Sequence, residues 1–557
     1  MNDGSSVLRR SQGLQAPWER RLLIGTLVFV PIAYAIIALY IRVSIERDSA
    51  WGLLILDAMR HGGSFNYLVS PDQANIANDH RMFLTMWSPG QYLFPGLFEF
   101  LGLNLGDSLI LTITLFLVLG VLGWYAFYHA AGFPLRTIAI SCLLMICTQW
   151  FTKFFGEYYG GETLLFGVAP WATLLFWKLR DLSPPSVLPL IAALIALAFF
   201  KLSGPIYGLA LLGACLFSVN DGRLLRTPQR WLVAAIVTAS FGVVFYFLWL
   251  AKGPTAATTA GSGVAGLSPI SLVFPIVAPA MSIVGFTDFL HRLSTAALAP
   301  PGLPSTNLII DLSVPIVATM YVIVWLRLRK EPKLTGYTNF ASITFLLFTL
   351  ALIALYLGNA AIDIQERHFR SVGLLLLPGI VQAFSLGTSR WLRGGFYLAI
   401  VGSVVYGAYA FYCRERENLT FPLGAQGYRQ DEASPRVVEF IRGQFHDQED
   451  SAKPIVYVSS SVLALEFAGA RLIVPAHKKE AVDVLASRRY RGHVQSIYIF
   501  LEKRMLQNGK AQAILRSFVN YDGMRWRQID LGDYVCFFQN NAPAASLWVS
   551  AKSKSLA

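Results

Sequence analysis

The sequence predicts a polytopic α-helical membrane protein of about 11 transmembrane helices carrying a small C-terminal exoplasmic α/β domain. Three observations predict it. Hydrophobic residues make up 55% of the 557 and charged residues only 14%, with a mean hydropathy of +0.50; a soluble chain of this length carries more surface charge. Apolar windows of ~20 residues, the length that crosses a hydrocarbon core, recur from near the N-terminus to about residue 413. From Arg414 onward the composition turns soluble.

The windows fall at 22–42, 107–130, 137–155, 162–178, 186–201, 204–219, 231–250, 307–326, 339–357, 371–387 and 395–413. Positive charge orients them. Arg9, Arg10, Arg20 and Arg21 precede the first window, and Arg136, Lys178, Arg180, Arg223, Arg226, Arg230, Arg327, Arg329, Lys330, Lys333, Arg390 and Arg393 occupy alternate loops. All lie on one side if the N-terminus is cytoplasmic, as the positive-inside rule requires. The expected division is a cytoplasmic segment 1–21, a membrane domain 22–413 with exoplasmic loops 43–106 and 251–306, and an exoplasmic domain 414–557. The net charge of +13 sits in these short loops, which argues for a membrane and against nucleic acid. The first window follows a basic lead without a small-residue cleavage site, so it reads as an anchor and not a signal peptide.

Between the windows, the first long loop has the most character. Glu46, Asp48 and Asp57 stand where the first apolar segment ends, and acids at a membrane boundary are costly enough to mark function. Trp51, Leu53, Leu54, Leu56 and Met59 form an amphipathic pattern expected to rest on the membrane surface. Trp87-Ser88-Pro89-Gly90-Gln91-Tyr92 breaks the chain and re-enters an apolar helix. The 251–306 segment, Gly/Ala/Thr-rich and then punctuated by Pro269, Pro275 and Pro279, reads either as a mobile loop with short interfacial helices gating a site or as a plain cover of the bundle. In the soluble region, 455–458, 471–475, 496–500 and 534–539 have strand character around a helical SSVLALEFAGA. The five cysteines show no metal or CxxC spacing, and the Asn418-Leu419-Thr420 sequon matters only if the source glycosylates asparagine.

Four polar clusters fall on the exoplasmic side: Glu46/Asp48 with Asp57 and His61; Lys153, Glu157, Tyr158, Tyr159 and Glu162; Lys201 ahead of Gly204-Pro205; and Asp363, Glu366, Arg367, His368 and Arg370. A single lysine or arginine at a span end usually snorkels to the interface. Four clusters on one side suit a lipid-phosphate substrate, with cations for phosphate oxygens and a carboxylate as proton acceptor. Aromatics such as Trp51, Trp87, Tyr158 and Tyr159 either stack on a sugar or belong to the interfacial belt.

The run DSAWGLLILDAMRHGG followed by WSPGQYLFPGL resembles the first exoplasmic loop of GT-C glycosyltransferases, among them lipid A aminoarabinose transferases and protein O-mannosyltransferases. GETLLF, KLSGP and ERHFRSVGLLLLPG resemble their later motifs in order. The resemblance implies sugar transfer from a polyprenyl-phosphate donor to an exoplasmic acceptor (glycolipid, polysaccharide or protein) at a bacterial inner membrane. It implies Asp48 as base with Glu46 nearby; Glu157, Glu162, Tyr158 and Trp87 on sugar or acceptor; and Lys201, Arg367, Arg370 and His368 on phosphate. Relatives often carry two adjacent acids where this chain has Asp48-Ser49, so the base and any divalent-cation cofactor stay open. The alternative reading is a transporter or lipid flippase; repeated halves with midplane polar groups would favour it.

Overall fold

A computed structural model describes residues 17–217, 228–253, 269–295, 306–358, 360, 362–386, 389–446, 453–467, 469–475, 482–521 and 526–540. The chain divides into two compact units, one of 1–44 and 84–419 and the other of 45–83 and 420–557. Residues 45–83 of the first loop therefore group with 420–557, and its remainder, 84–106, groups with the helical unit.

The first unit is helical, and a helix occupies each of the eleven apolar windows. Among the described residues, six helices are long and apolar enough to cross a membrane: Trp18–Ile41, Leu105–Ala130, Leu135–Gly156, Pro228–Lys252, Pro332–Leu357 and Arg390–Asn418. Shorter apolar helices, such as Gly204–Phe217, pack among them. Close packing in such a bundle needs small residues, because apolar side chains gain nothing by leaving lipid for one another. The helices Leu105–Ala130 and Gly161–Lys178 show it reciprocally: a Cβ on Gly120 would meet Phe166 at 2.4 Å, and one on Gly167 would meet Phe116 at 2.5 Å.

Two readings for this unit can be set against the structure. The 269–284 stretch, read as short interfacial helices or as a plain cover, is a single helix packed on the bundle. It forms the helix Pro269–Val284, with Phe274, Val277, Ala278 and Met281 buried against the bundle. Its carbonyl at Pro279 lies so near Gly373 that a Cβ there would stand at 2.3 Å. The neighbouring 254–268 and 296–305, where the mobile loop was expected, lie outside the described residues. The Asn418 sequon is closed to modification, because Asn418 is fully buried with its amide donating to the Gly156 carbonyl at 2.8 Å.

The second unit holds a five-stranded sheet in the order Arg471–Ile473, Ile455–Val458, Ser496–Glu502, Tyr534–Asn540, Arg527–Asp530. The first three strands are parallel, Tyr534–Asn540 runs antiparallel to them, and Arg527–Asp530 pairs antiparallel with Tyr534–Asn540. Ile497, Ile499 and Leu501 alternate onto one face and pack with Ile455, Tyr457, Val535 and Ile514, the period-2 pattern of a sheet covered by helices. Part of the first loop builds onto this unit. Its hairpin pairs Tyr67–Pro71 with Asp79–Phe83, and Arg471 donates to Asp79 at 2.9 and 2.7 Å. The helix Arg47–Arg60 buries eight consecutive residues, Ser49 to Leu56, and packs on the helix Ser461–Ala464. A helix covered all round is a core element, so the membrane-surface placement is wrong: the hydrophobic stripe met protein and not lipid.

Candidate active site

Four residues expected to act together are brought together by helix ends of the first unit. Gly160, at φ +47°, turns the chain into the helix Gly161–Lys178, which places Glu162 in its first turn. The helix Val187–Phe200 ends at Lys201. Each charge thus sits at the helix end whose dipole favours it. Gly161 lets the two ends meet, since a Cβ there would stand 3.2 Å from the Phe200 carbonyl and 3.3 Å from Lys201 Cγ. Lys201 Nζ donates to Glu162 Oε1 at 2.6 Å, both side chains being nearly buried.

The turn Glu366–Phe369 adds Arg367, whose Nε lies 3.5 Å from Glu162 Oε1 and whose Nη2 donates to Asp363 at 2.9 Å. One turn later comes Arg370, 7% exposed. It donates from Nη1 to the Trp150 carbonyl at 2.6 Å and lies over Phe166 and Phe154 at 4.9 and 5.1 Å. Among the described residues no carboxylate pairs with it, and it opens a helix, Arg370–Leu386, whose N-terminal dipole repels a cation. Both features leave room for an anion.

These groups line one cleft. Glu162, Lys201, Arg367, Arg370 and Ser371 form its polar part; Trp124, Trp150, Phe154, Leu165, Phe166 and Leu374 form its apolar part. The lining carries three cations to one carboxylate. The indole N–H of Trp124 is buried without an acceptor among the described residues. The aromatic walls escaped the sequence reading because Trp124 and Phe166 lie in mid-span, where aromatics are ordinary. The run QWFTKFF beside Lys153 was the one local signal for Trp150 and Phe154.

Other expected site residues are not in the cleft lining. His368 is bonded to Asp363, Nε2 to Oδ1 at 2.6 Å, and burial pushes its pKa down; its bonded ring nitrogen faces a carboxylate, not a phosphate. Asp363 is pushed up by burial, but the His368 hydrogen bond and the Arg367 charge outweigh this and hold it at about 2. Tyr158, expected on the substrate, is fully buried, and its hydroxyl donates to the Gln91 carbonyl. Glu157 accepts from Tyr159 at 2.7 Å and pairs with Arg414 at 3.1 Å. Trp87 is half-buried where the WSPGQY motif turns into the helix Gly90–Phe100, and Ser88 anchors that motif on the Ala198 carbonyl at 2.8 Å.

In the second unit, Glu46 caps the helix Arg47–Arg60, its Oε2 accepting from the amides of Asp48 and Ser49 at 2.8 and 3.2 Å. That carboxylate oxygen is committed to the backbone, whereas the Asp48 side chain is exposed on the first turn. Among the described residues no three of His, Cys, Asp and Glu converge as metal ligands.

The fold is one already seen in solved structures. Two crystal structures of ArnT from Cupriavidus metallidurans share it at a TM-score of 0.52. The one bound to undecaprenyl phosphate is 12% identical, covering 94% of this chain and 98% of that one; the apo structure is 13% identical, covering 93% and 98%. An oligosaccharyltransferase from Archaeoglobus fulgidus, tethered with an acceptor peptide, matches at a TM-score of 0.42 and 12% identity over 87% of this chain and 70% of its own. No protein-family model and no curated protein matches the sequence.

Proposed function

We propose that this chain is an integral membrane glycosyltransferase that moves a sugar from a polyprenyl-phosphate donor to an acceptor hydroxyl or amine on the exoplasmic face of a bacterial inner membrane. The observation that carries the reading is the cleft, where Lys201, Arg367 and Arg370 surround a single carboxylate, Glu162, beside aromatic walls. Cations in a partly dehydrated site suit phosphate oxygens, with arginine binding two at once. The apolar wall suits the first isoprene units. The ArnT structure with bound undecaprenyl phosphate, which has the same fold, supports this class of ligand.

In the proposed reaction the acceptor attacks the anomeric carbon while a carboxylate takes its proton. The bond from that carbon to the phosphate oxygen breaks, and polyprenyl phosphate leaves with the electron pair; a single displacement inverts the anomeric configuration. Lys201, Arg367 and Arg370 stabilise the charge that gathers on the leaving phosphate. Glu162 holds Lys201 and Arg367 in place and offers its second oxygen to a sugar or acceptor hydroxyl. Asp48 is the proposed base, because the Glu46 oxygen is occupied by its helix cap. A divalent cation enters the scheme only with oxygens supplied by the substrate, for want of three converging side chains among the described residues.

The test is transfer of labelled sugar from a polyprenyl-phosphate donor by the purified protein in proteoliposomes, run beside an uptake and lipid-flipping assay on the same vesicles. Transfer supports the proposal; uptake or flipping without transfer replaces it with the transporter reading.

A further inference from the structure

Trp150 forms one wall of the cleft, and its carbonyl and indole N–H are both held. Its carbonyl accepts from Arg370 at 2.6 Å, and its indole N–H donates to Glu366 Oε2 at 3.4 Å. The other oxygen of the same carboxyl, Oε1, accepts the backbone N–H of Thr287, the second residue of the helix Phe286–Thr295. Glu366 is 1% exposed and immediately precedes Arg367. One buried side chain therefore ties three things: the cleft wall, the turn that carries Arg367 and Arg370, and the start of a separate helix.

We infer that Glu366 is a positioning residue of the donor cleft, an ionisable tie that fixes the Trp150 wall and the Arg367–Arg370 turn to the helix Phe286–Thr295. The inference rests on the proposed function only for what the cleft binds; the tie itself is geometry. Glu366 touches no reacting atom in this scheme and acts through Trp150 and its neighbouring arginines.

The surroundings make the tie sensitive to pH. Burial pushes the Glu366 pKa up to about 7, against the pull of the Thr287 and Trp150 donors and with the push of Asp288. The other charges packed about it are Lys153, which holds Asp288 at 3.3 Å, and Arg370. The helix Pro269–Val284, also against this turn, contains no titratable residue. A carboxyl whose pKa is raised on burial favours the tied state fully below its free value of 4.5. That advantage is lost progressively as pH rises, and the loss is complete at about pH 7. The tie is therefore tight in mild acid and loosens towards neutral pH.

Two measurements on the full-length protein test this. The first needs no activity: Trp150 fluorescence, taken as the difference between the wild type and Trp150→Phe, is followed across this pH range. An inflection near neutral pH that disappears in Glu366→Gln supports the tie. Its absence from the wild type, or its survival in Glu366→Gln, overturns it. Should Glu366→Gln fail to fold, Thr287→Pro removes both Thr287 donors to Glu366, the backbone N–H and the hydroxyl, in a helix first turn, where proline is accepted. It should shift the inflection upward, and an unmoved inflection overturns the tie.

The second measurement is kinetic. The donor KM of the wild type should rise by about tenfold from mild acid to mild alkali at nearly constant kcat, the equivalent of about one pKa unit. The KM of Glu366→Gln should stay level. An equal KM rise in both proteins overturns the inference. A normal fluorescence result in a protein that transfers no sugar supports the tie and defeats the proposed function; transfer without any inflection does the reverse.

Discussion

Replacing Lys201 by methionine separates a group that binds substrate from one that merely neutralises a buried acid. Lys201 Nζ lies 2.6 Å from Glu162 Oε1, with side chains 11% and 14% exposed. Removing one partner of a buried pair typically costs about 3–5 kcal/mol, because the other charge is left uncompensated. Arg367 remains 3.5 Å from the same oxygen, so Lys201→Met should fall near 3 kcal/mol, the low end of that range. A lost charge-assisted contact to a donor phosphate costs a further ~1.5–3 kcal/mol in transition-state binding, or roughly 10- to 150-fold in kcat/KM.

The two effects come apart in Lys201→Met/Glu162→Gln. With no orphaned carboxylate, thermal stability in detergent should return to within about 1 kcal/mol of the wild type, while transfer from the lipid-linked donor stays depressed. Transfer is assayed with a short-chain polyprenyl-phosphate sugar at several donor concentrations, so that kcat and KM are resolved. Recovery of both stability and transfer in the double variant would refute the reasoning, for it would mean that neither side chain touches substrate.

Asp48→Asn keeps the shape of its side chain but removes the proton acceptor, and should slow transfer by ~10²–10⁴-fold at unchanged donor affinity; Glu46→Gln should cost about 1 kcal/mol of helix capping and far less rate, and the opposite ranking would move the base to Glu46. Asp363 has its pKa depressed from 3.8 to about 2, so its contribution to stability is present above 3.8 and lost as pH falls towards 2. Acid unfolding followed by circular dichroism should lose that stretch of pH dependence in Asp363→Asn, with weaker donor binding as Arg367 is released. Gly161→Ala should push Lys201 by a few tenths of an ångström and lower kcat/KM by roughly threefold to tenfold, with unfolding unchanged as the control. In a background without the native cysteines, Asn508→Cys should react with an impermeant thiol reagent from the exoplasmic side and Arg329→Cys should not; the reverse pattern would invert the topology.

Much of the helical unit was legible because hydropathy is a local property. A window of ~20 residues records whether a segment is apolar enough to span or to be buried, and each window here holds a helix. The strands at 455–458, 471–473, 496–502 and 534–540 were legible for a similar reason, as short β-branched and aromatic runs between polar turns. Charge at the segment ends pointed to Glu162, Lys201 and Arg367, since such groups are costly there without a partner or a task.

Partner choice was not legible. The Arg47–Arg60 pattern fits a membrane surface and a protein core equally well, and the contact with Ser461–Ala464 decides for the core. The Pro269–Val284 helix, rich in proline, could have been interfacial until its packing on the bundle was seen. Tyr158 and His368 have the chemistry of substrate ligands, yet the Tyr158 hydroxyl donates to the Gln91 carbonyl and His368 Nε2 bonds Asp363. Trp150 and Glu366 are 216 residues apart and meet through a hydrogen bond. The sequence by itself determined which segments are apolar, which ends are charged and which motifs open the first loop. Only the tertiary structure decided which charges face one another across the cleft, because a hydrogen bond or a buried pair depends on ångström-scale distances between helices far apart in the chain.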